Sequence, residues 1–296
     1  MSPLSRLAAG TTLPVVTVVI AIIAIWYVAA VALNAPFQRD TYERAKQTDV
    51  PFSQLLSDTL VQKRPVLPAP HQVATEIWQT TVEKKITSKR SLVFHAWITL
   101  STTLLGFLIG TSLGVLIAVG IVHSGVLDKS LMPWVIASQT IPILAIAPMI
   151  IVVLNAVGIS GLLPKAMIST YLAFFPVTVG MVKGLRSPEI IHLDLMHTYS
   201  ASRLETFFKL RLPYALPFLF TSMKIGIAAS LVGAIIGELP TGAVAGLGAR
   251  LLAGSYYGQT VQIWSALIMA SVLAGCLVGM IGLIEKNVLK RMGMAA

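Results

Sequence analysis

Apolar residues in this chain are gathered into long runs that shorter polar segments separate. Each run is about 20 residues or longer, which is enough for a helix to cross a hydrocarbon core of about 30 Å. Helices are the expected spanning form because backbone N–H and C=O groups find no water partner in lipid. The pattern predicts an all-α polytopic membrane protein with six transmembrane helices. They are expected at residues 13–33, 92–121, 131–155, 165–185, 214–238 and 260–284.

The first run, residues 13–33, has two interpretations. It follows a basic residue, and Ala30-Val31-Ala32 has the small residues of a signal-peptide cleavage site. A signal peptide, however, has an apolar stretch of about 7–15 residues, and this run is 21 residues long. We therefore interpret it as a retained first transmembrane helix.

Glycines recur at four-residue spacing in three of the runs. Such spacing places them on one helix face, where the missing side chains let another helix approach closely. The prediction is tight packing inside the chain, and the alternative is a surface that slides between two conformations. The glycines concerned are Gly106, Gly110 and Gly114 in the second run, Gly233 and Gly237 in the fifth, and Gly275 and Gly279 in the sixth.

Composition supports the membrane assignment. The 296 residues are 55% hydrophobic and 11% charged, against about 25% charged residues in a soluble domain. The formal net charge of +10 is scattered between the apolar runs rather than clustered. Solvated loops and contacts with lipid headgroups explain it better than nucleic-acid binding, which would need a basic face.

Patterns for chemistry within the chain are missing from the sequence. It contains no Gly-x-x-x-x-Gly-Lys-Ser/Thr phosphate loop, no His-Glu-x-x-His metal motif and no Gly-x-Ser-x-Gly nucleophile motif. We expect no catalytic residue, no metal site and no cofactor. Two charges fall within the fifth apolar run, and such residues are costly in lipid. Lys224 is expected to snorkel to the interface, whereas Glu238 could line a pathway, pair with Arg250 or face water at the outer side.

The polar segment after the fourth run carries a recognisable spacing. Residues 194–213 resemble the loop with which inner-membrane permeases of ABC importers hold their ATPase, a pattern of Glu-Ala-Ala, three residues, Gly, nine residues, Ile, one residue and Leu-Pro. The corresponding positions are Asp194 for Glu, Leu195 and Met196 for the two Ala, Ser200 for Gly, Leu210 for Ile, and Leu212 and Pro213 for the closing pair.

Other segments resemble the nitrate, sulfonate and taurine type of these permeases. Each is a modest match, but their order and spacing agree from about residue 66 to the C-terminus. The segments are Leu67–Pro70, Ile141–Pro148, Phe174–Pro176 and Gly237-Glu238 followed by Gly246-Leu247-Gly248. Residues 34–65 form an insert that is long for the family.

The resemblance implies a type I ABC importer permease fold and a set of partners. Two cytoplasmic ATPase subunits would hydrolyse ATP, so this chain would not be an enzyme. A second permease copy, identical or a paralogue, and an extracytoplasmic substrate-binding protein would complete the complex. A coupling helix at residues 194–205, in a loop of about 186–213, would dock on the ATPase and end by Pro213. Besides the motif positions, the resemblance assigns the docking loop Ala201, Arg203 and Leu204 and the pathway or gate Pro142, Pro176 and Glu238.

Orientation and domain organisation follow from the same loop. Basic residues are numerous on both sides of the predicted topology, so the docking loop decides that the N- and C-termini are cytoplasmic. Residues 1–91 would then form the first span and an extracytoplasmic loop, and residues 92–296 a core of five spans. In that loop, helical spacing of Val73, Ile77 and Trp78 predicts a short amphipathic helix.

The expected location is the bacterial cytoplasmic membrane, and the substrate is a small solute. Family members carry small anions or vitamin precursors, and two runs, Leu-Met-His-Thr-Tyr-Ser and Gly-Glu-Leu-Pro-Thr-Gly, are closer to the branch for pyrimidine-like heterocycles. One alternative is a self-contained secondary transporter, which should show inverted repeats and coupling residues at midplane. Another is a membrane enzyme, which would need a cluster of polar residues inside the spans.

Overall fold

The computed structural model describes residues 12–47, 50–239 and 245–294, and these form helices and turns without a strand. The predicted all-α class is confirmed. The helices are α1 (Thr12–Arg44), α2 (Phe52–Leu60), α3 (Pro70–Trp78), α4 (Leu92–His123), α5 (Gly125–Ser138), α6 (Ile143–Ala156), α7 (Leu162–Leu185), α8 (Ile190–Thr198), α9 (Arg203–Thr206), α10 (Leu212–Glu238), α11 (Leu247–Tyr256) and α12 (Thr260–Arg291). Two π-helical turns, Gln79–Glu83 and Phe207–Arg211, follow α3 and α9.

Within the described ranges, five helical stretches are long and apolar enough to cross a membrane. They coincide with the first, second, fourth, fifth and sixth predicted spans. The bent pair α5 and α6 makes a sixth if it is counted as one span. Helix α1 runs without interruption through Ala30-Val31-Ala32 to Arg44, so the first span continues well past its predicted end.

The third predicted span, residues 131–155, is not one straight helix. Helices α5 and α6 meet at a bend of 101°. Pro142 lies at this bend, where its extended backbone caps the start of α6. Proline cannot donate to a preceding turn, and it disfavours helical geometry in the residue before it, here Ile141. The prediction of a continuous helix is therefore wrong at the proline that was assigned to the pathway.

The chain divides into two compact units. The first comprises residues up to Val93 together with Arg250–Ile268. In it, the buried Asn34 donates to the carbonyl of Leu67 at 2.9 Å and accepts from the backbone N–H of Val66 at 2.8 Å. The indole Nε1 of Trp26 donates to the carbonyl of Pro68 at 2.9 Å. These bonds attach the Pro-rich segment to α1. Helix α3 contains Val73, Ile77 and Trp78 and is the short helix that their spacing predicted.

The second unit comprises Phe94–Ala249 and the residues from Met269 onward. Its central helix α7 packs against α4 along the predicted glycine face. A Cβ atom added to Gly106 would lie 2.2 Å from Cβ of Ser169, and one on Gly114 would lie 2.9 Å from the carbonyl oxygen of Phe174. On α10, a Cβ atom on Gly233 would lie 2.7 Å from Cα of Ser169. The predicted close packing is confirmed for both faces.

The third glycine pair and the charge in the fifth span differ from expectation. Among the residues that the structure describes, no atom lies within 4 Å of a Cβ added to Gly275 or Gly279, so this pair makes no close helix contact there. Lys224 does not snorkel alone, because its Nζ pairs with the carboxylate of Glu285 on α12. Sequence spacing locates glycine-lined helix faces and charged residues, but it does not show which helix packs against them.

Candidate functional site

The polar segment between α7 and α10 forms a helix–turn–helix rather than one coupling helix. Helix α8 spans Ile190–Thr198, and the short α9 spans Arg203–Thr206. The predicted helix at 194–205 therefore begins too late and runs through a turn. The segment contains eight of the ten residues assigned to docking, and the other two, Leu212 and Pro213, begin α10.

Ser200 ends α8 by adopting a left-handed backbone conformation with φ of 52°. Its N–H donates to the carbonyl of His197 at 2.9 Å, and the N–H of Ala201 donates to that of Met196 at 3.0 Å. This pair of bonds is a Schellman motif, whose left-handed position glycine usually occupies. The family glycine at this position is thus explained by backbone conformation.

Helix α9 begins with a capping box. The hydroxyl of Ser202 accepts from the N–H of Glu205 at 3.3 Å, and the carboxylate of Glu205 accepts from the N–H of Ser202 at 2.9 Å. Lys209 pairs with the same carboxylate at 3.1 Å. The turn between α8 and α9 is therefore closed on both sides by local hydrogen bonds.

Helix α8 presents an apolar face that nothing in the described chain covers. It contains no buried residue, and Ile191, Leu195 and Tyr199 are 69%, 51% and 76% exposed. Residues four apart lie on one face of a helix, so these three side chains form a stripe. Asp194 is also exposed, as is Leu204 on α9 at 70%. We name Ile191, Leu195 and Tyr199 the docking stripe.

The base of the loop is anchored, unlike its tip. Leu210 is buried, and Phe207 and Leu212 pack against the core cluster that includes Leu185. The guanidinium of Arg211 donates to the carbonyl of Leu185 at 3.1 Å, at the C-terminal end of α7. A cation at this end also interacts favourably with the helix dipole. The loop is thereby joined to both α7 and α10.

Pro213 does not end a helix, contrary to the prediction. The backbone from Arg203 to Glu238 forms one helical stretch, because the π-helical turn Phe207–Arg211 leads directly into α10. The N–H of Leu212 bonds to the carbonyl of Phe207, five residues back. Pro213 then occupies the first α-helical turn, where its missing N–H is tolerated.

Glu238, at the other end of α10, is fully buried. Its carboxylate accepts from the hydroxyl of Thr99 at 2.9 Å and from the N–H of Gly248 at 2.8 Å. Thr99 in turn accepts from the N–H of Leu247 at 2.8 Å. A Cβ atom on Gly246, whose φ is +125°, would lie 2.2 Å from Cδ of Glu238, so only glycine fits there. We call this network the outer clamp.

Two of the three alternatives for Glu238 are wrong. Its burial excludes a position in outer-side water. Arg250 does not pair with it, because the guanidinium donates to Glu76 at 3.0 Å and to the carbonyl of Arg90 at 3.0 Å. Burial lowers the pKa of Arg250, and Glu76 opposes that effect. A role of Glu238 in the pathway stays a prediction.

The partners of Glu238 in the outer clamp were not predicted from the sequence. His95 accepts from the N–H of Gly246 at 3.0 Å through its Nδ1. His95 and Thr99 are four residues apart in an otherwise apolar run, which places two polar groups on one face of α4. That spacing was an available signal. Within the ranges the structure describes, no group of three or more His, Cys, Asp or Glu side chains could hold a metal ion.

Pro176 lines a cavity of about 480 Å³ between α7 and α10. Phe175 and Phe218 form aromatic walls, and Lys183 lies with its Nζ 5.9 Å from the ring centre of Phe218. Thr221 and Ser222 add hydroxyl groups, and the rest of the lining apart from Lys183 is apolar. The cavity can thus hold a flat apolar group beside a cation and a hydrogen-bonding group.

Apolar helices long enough to cross a membrane, one of them broken, together with an exposed helix on a polar loop, are typical of a membrane transport subunit. The chain belongs to the family of binding-protein-dependent transport system inner membrane components, whose sequence model matches residues 110–292. It is therefore a multi-pass inner-membrane protein and the permease subunit of an ABC importer, as the resemblance implied. The alternative of a self-contained secondary transporter is not favoured.

Curated relatives agree with this assignment. A riboflavin transport system permease protein, RibX of Chloroflexus aurantiacus, is 30% identical over 75% of this chain and 78% of its own length. A formylaminopyrimidine transport permease protein, ThiX of Halalkalibacterium halodurans, is 30% identical over 65% and 72%. A probable ABC transporter permease of Haemophilus influenzae is 29% identical over 72% and 81%.

Proposed function

We propose that this chain forms half of a permease dimer in which each copy docks one cytoplasmic ATPase through α8. The observation that carries the proposal is the docking stripe, an uncovered apolar face on a polar loop. Exposed apolar side chains clustered on one helix face are typical of a surface that a partner covers. Leu195 and Tyr199 of the stripe lie within residues 194–213, the segment that resembles the loop by which the family holds its ATPase, and this supports the choice of partner.

The anchoring of the loop supports a coupling role. A force applied to α8 passes through Arg211 to the end of α7 and through the continuous helical stretch to α10. Closure of two ATPase subunits on ATP would draw the two α8 helices together and tilt these spans. Such a rigid movement of packed helices is one way to alternate access to a central pathway. ATP hydrolysis belongs to the partner in this scheme.

We infer a small heterocyclic solute as the cargo, delivered by an extracytoplasmic binding protein. Two relatives are named for riboflavin and formylaminopyrimidine, which are flat ring systems. The cavity at Pro176 supports the inference, since Phe175 and Phe218 offer ring faces and Lys183 a positive charge. We also propose that Pro142, at the bend between α5 and α6, is a gate position. In the proposed topology the N- and C-termini are cytoplasmic.

Co-purification tests the docking assignment. The chain would be tagged, co-expressed with a candidate ATPase and purified in mild detergent. We expect Leu195→Asp to lower ATPase recovery at least about tenfold, because a charge would enter an apolar contact. Tyr256→Asp is the matched control, since this residue is 78% exposed and lies on the opposite side in the proposed topology.

The same preparation tests the dimer. Two differently tagged copies of the chain should co-purify, and recovery of one tag alone would contradict a homodimer. Undiminished ATPase recovery with Leu195→Asp, or an equal loss with Tyr256→Asp, would contradict docking through the stripe. Monodisperse elution of each variant shows that the membrane helices remain folded.

A further inference from the structure

A second cavity lies on the opposite side of α8 from the docking stripe. It has a volume of about 420 Å³ and is lined by His123 at the end of α4, by His197 on α8, and by Arg203, Thr206 and Arg211. Leu193 and His197 are four residues apart and face this cavity, whereas Leu195 belongs to the stripe. Helix α8 therefore separates an apolar outer surface from a basic inner pocket.

The positive charge of this pocket is not neutralised within the described chain. No acidic residue is among those that line it. The ion pairs of the described residues involve Arg186, Lys209, Lys224 and Arg250, so neither Arg203 nor Arg211 has a carboxylate partner. The nearby Glu205 is already engaged by Ser202 and Lys209.

The hydrogen-bond donors of the pocket remain available in part. Arg211 uses its Nη1 on the carbonyl of Leu185, and a guanidinium has five N–H donors in all. The ring of His123 is held by the carbonyl of Val119 at 2.8 Å. Arg203 is exposed and the hydroxyl of Thr206 points back to the carbonyl of Ser202 at 3.1 Å. The guanidinium groups of Arg203 and Arg211 and the imidazole of His197 are therefore the groups that can recognise a ligand in this pocket.

We propose that this pocket binds a phosphate group, as in the headgroup of an anionic phospholipid. Arginine pairs are suited to phosphate because the planar guanidinium donates two parallel hydrogen bonds. His123 is the last residue of a helix that is long and apolar enough to cross a membrane, so we expect the pocket to lie near the headgroups. Anionic lipids collect at basic segments of the cytoplasmic leaflet.

A phosphate in this pocket would contact one side of α8, while the ATPase would contact the docking stripe on the opposite side. The proposal rests on the cytoplasmic position of the loop, but not on the docking stripe itself. Binding would link lipid composition to the coupling of the importer. Free inorganic phosphate, which ATP hydrolysis releases, carries the same chemistry and is the other source to be distinguished.

The test uses the full chain purified in neutral detergent. Phosphatidylglycerol is titrated in, and bound lipid is counted by native mass spectrometry, with inorganic phosphate tested separately by its effect on thermal unfolding. We expect Arg203→Gln to weaken retention of the lipid about tenfold, the effect of losing one charge-assisted bond. Arg203→Lys should retain part of the binding. Lys209→Gln, which removes a cation of the same loop outside the pocket, should leave retention unchanged.

Each outcome decides the proposal. Selective loss with Arg203→Gln supports a lipid site, and protection by inorganic phosphate that needs Arg203, without lipid retention, supports free phosphate as the source. Equal losses with Arg203→Gln and Lys209→Gln would indicate general surface attraction and overturn it. Absence of binding by both probes overturns it as well, even if Arg203→Gln lowers ATPase recovery, since the pocket would then take a partner's carboxylate. Leu195→Asp should not alter lipid retention, which separates this proposal from docking.

Discussion

The two ends of the helical stretch that contains α10 are built in opposite ways. At one end, α8 and α9 close their own backbone bonds by caps and leave apolar side chains exposed. At the other, Glu238 is fully buried and accepts a hydrogen bond from the backbone of the first turn of α11. The first end is arranged for a partner, and the second is satisfied within its own unit.

This difference shows how burial, rather than residue type, separates contact sites from structural ones. An acidic residue in an apolar run attracts functional interpretation because it is costly in lipid. Here its carboxylate is occupied by Thr99 and Gly248. The apolar residues of the docking stripe would attract no attention by type, yet they are the ones left uncovered.

The largest effect is expected at the outer clamp. Glu238→Ala should destabilise the chain by about 2–4 kcal/mol, because a backbone N–H and a hydroxyl left unpaired in the interior each cost about 1–3 kcal/mol. Thermal unfolding of the purified chain in detergent measures this. Glu238→Gln keeps an acceptor oxygen and should retain most of the stability and of the uptake. An unchanged unfolding temperature for Glu238→Ala would contradict the clamp.

A smaller effect is expected where the loop is anchored. Arg211→Gln should lower stability by about 1 kcal/mol, since it removes a charged donor from the end of α7. It should also reduce uptake per ATP hydrolysed, because the loop loses its link to α7. Lys209→Gln is the control, as this exposed cation binds only Glu205 among the ion pairs described. Equal uptake per ATP hydrolysed in both variants would show that the hydrogen bond from Arg211 to Leu185 does not contribute to coupling.

The smallest effect is expected at the turn after α8. Ser200→Gly should stabilise the chain by about 1 kcal/mol, because a residue with a Cβ atom is strained at positive φ. Ser200→Val should destabilise it by a similar amount, and unfolding of the two variants side by side measures the difference. If both variants unfold like the natural chain, the left-handed turn does not form in the free protein.

Much of the fold could be predicted because its causes are local. Apolar run length located the spans, and glycine spacing located the faces of α4 and α10 that pack on α7. The failures arose where local rules compete. Pro142 has an extended backbone and breaks a helix, whereas Pro213 begins α-helical geometry after a π-helical turn that the hydrogen bond from Leu212 to Phe207 closes.

The candidate site divides in the same manner. The sequence by itself determined the membrane class, the family and the loop that carries the docking motif, since these depend on hydropathy and spacing along the chain. Only the tertiary structure decided that Ser200 turns the chain, that Glu238 holds Gly248 and that Arg211 caps α7. Those partners lie on other helices or beyond a turn, and their meeting depends on how the helices pack.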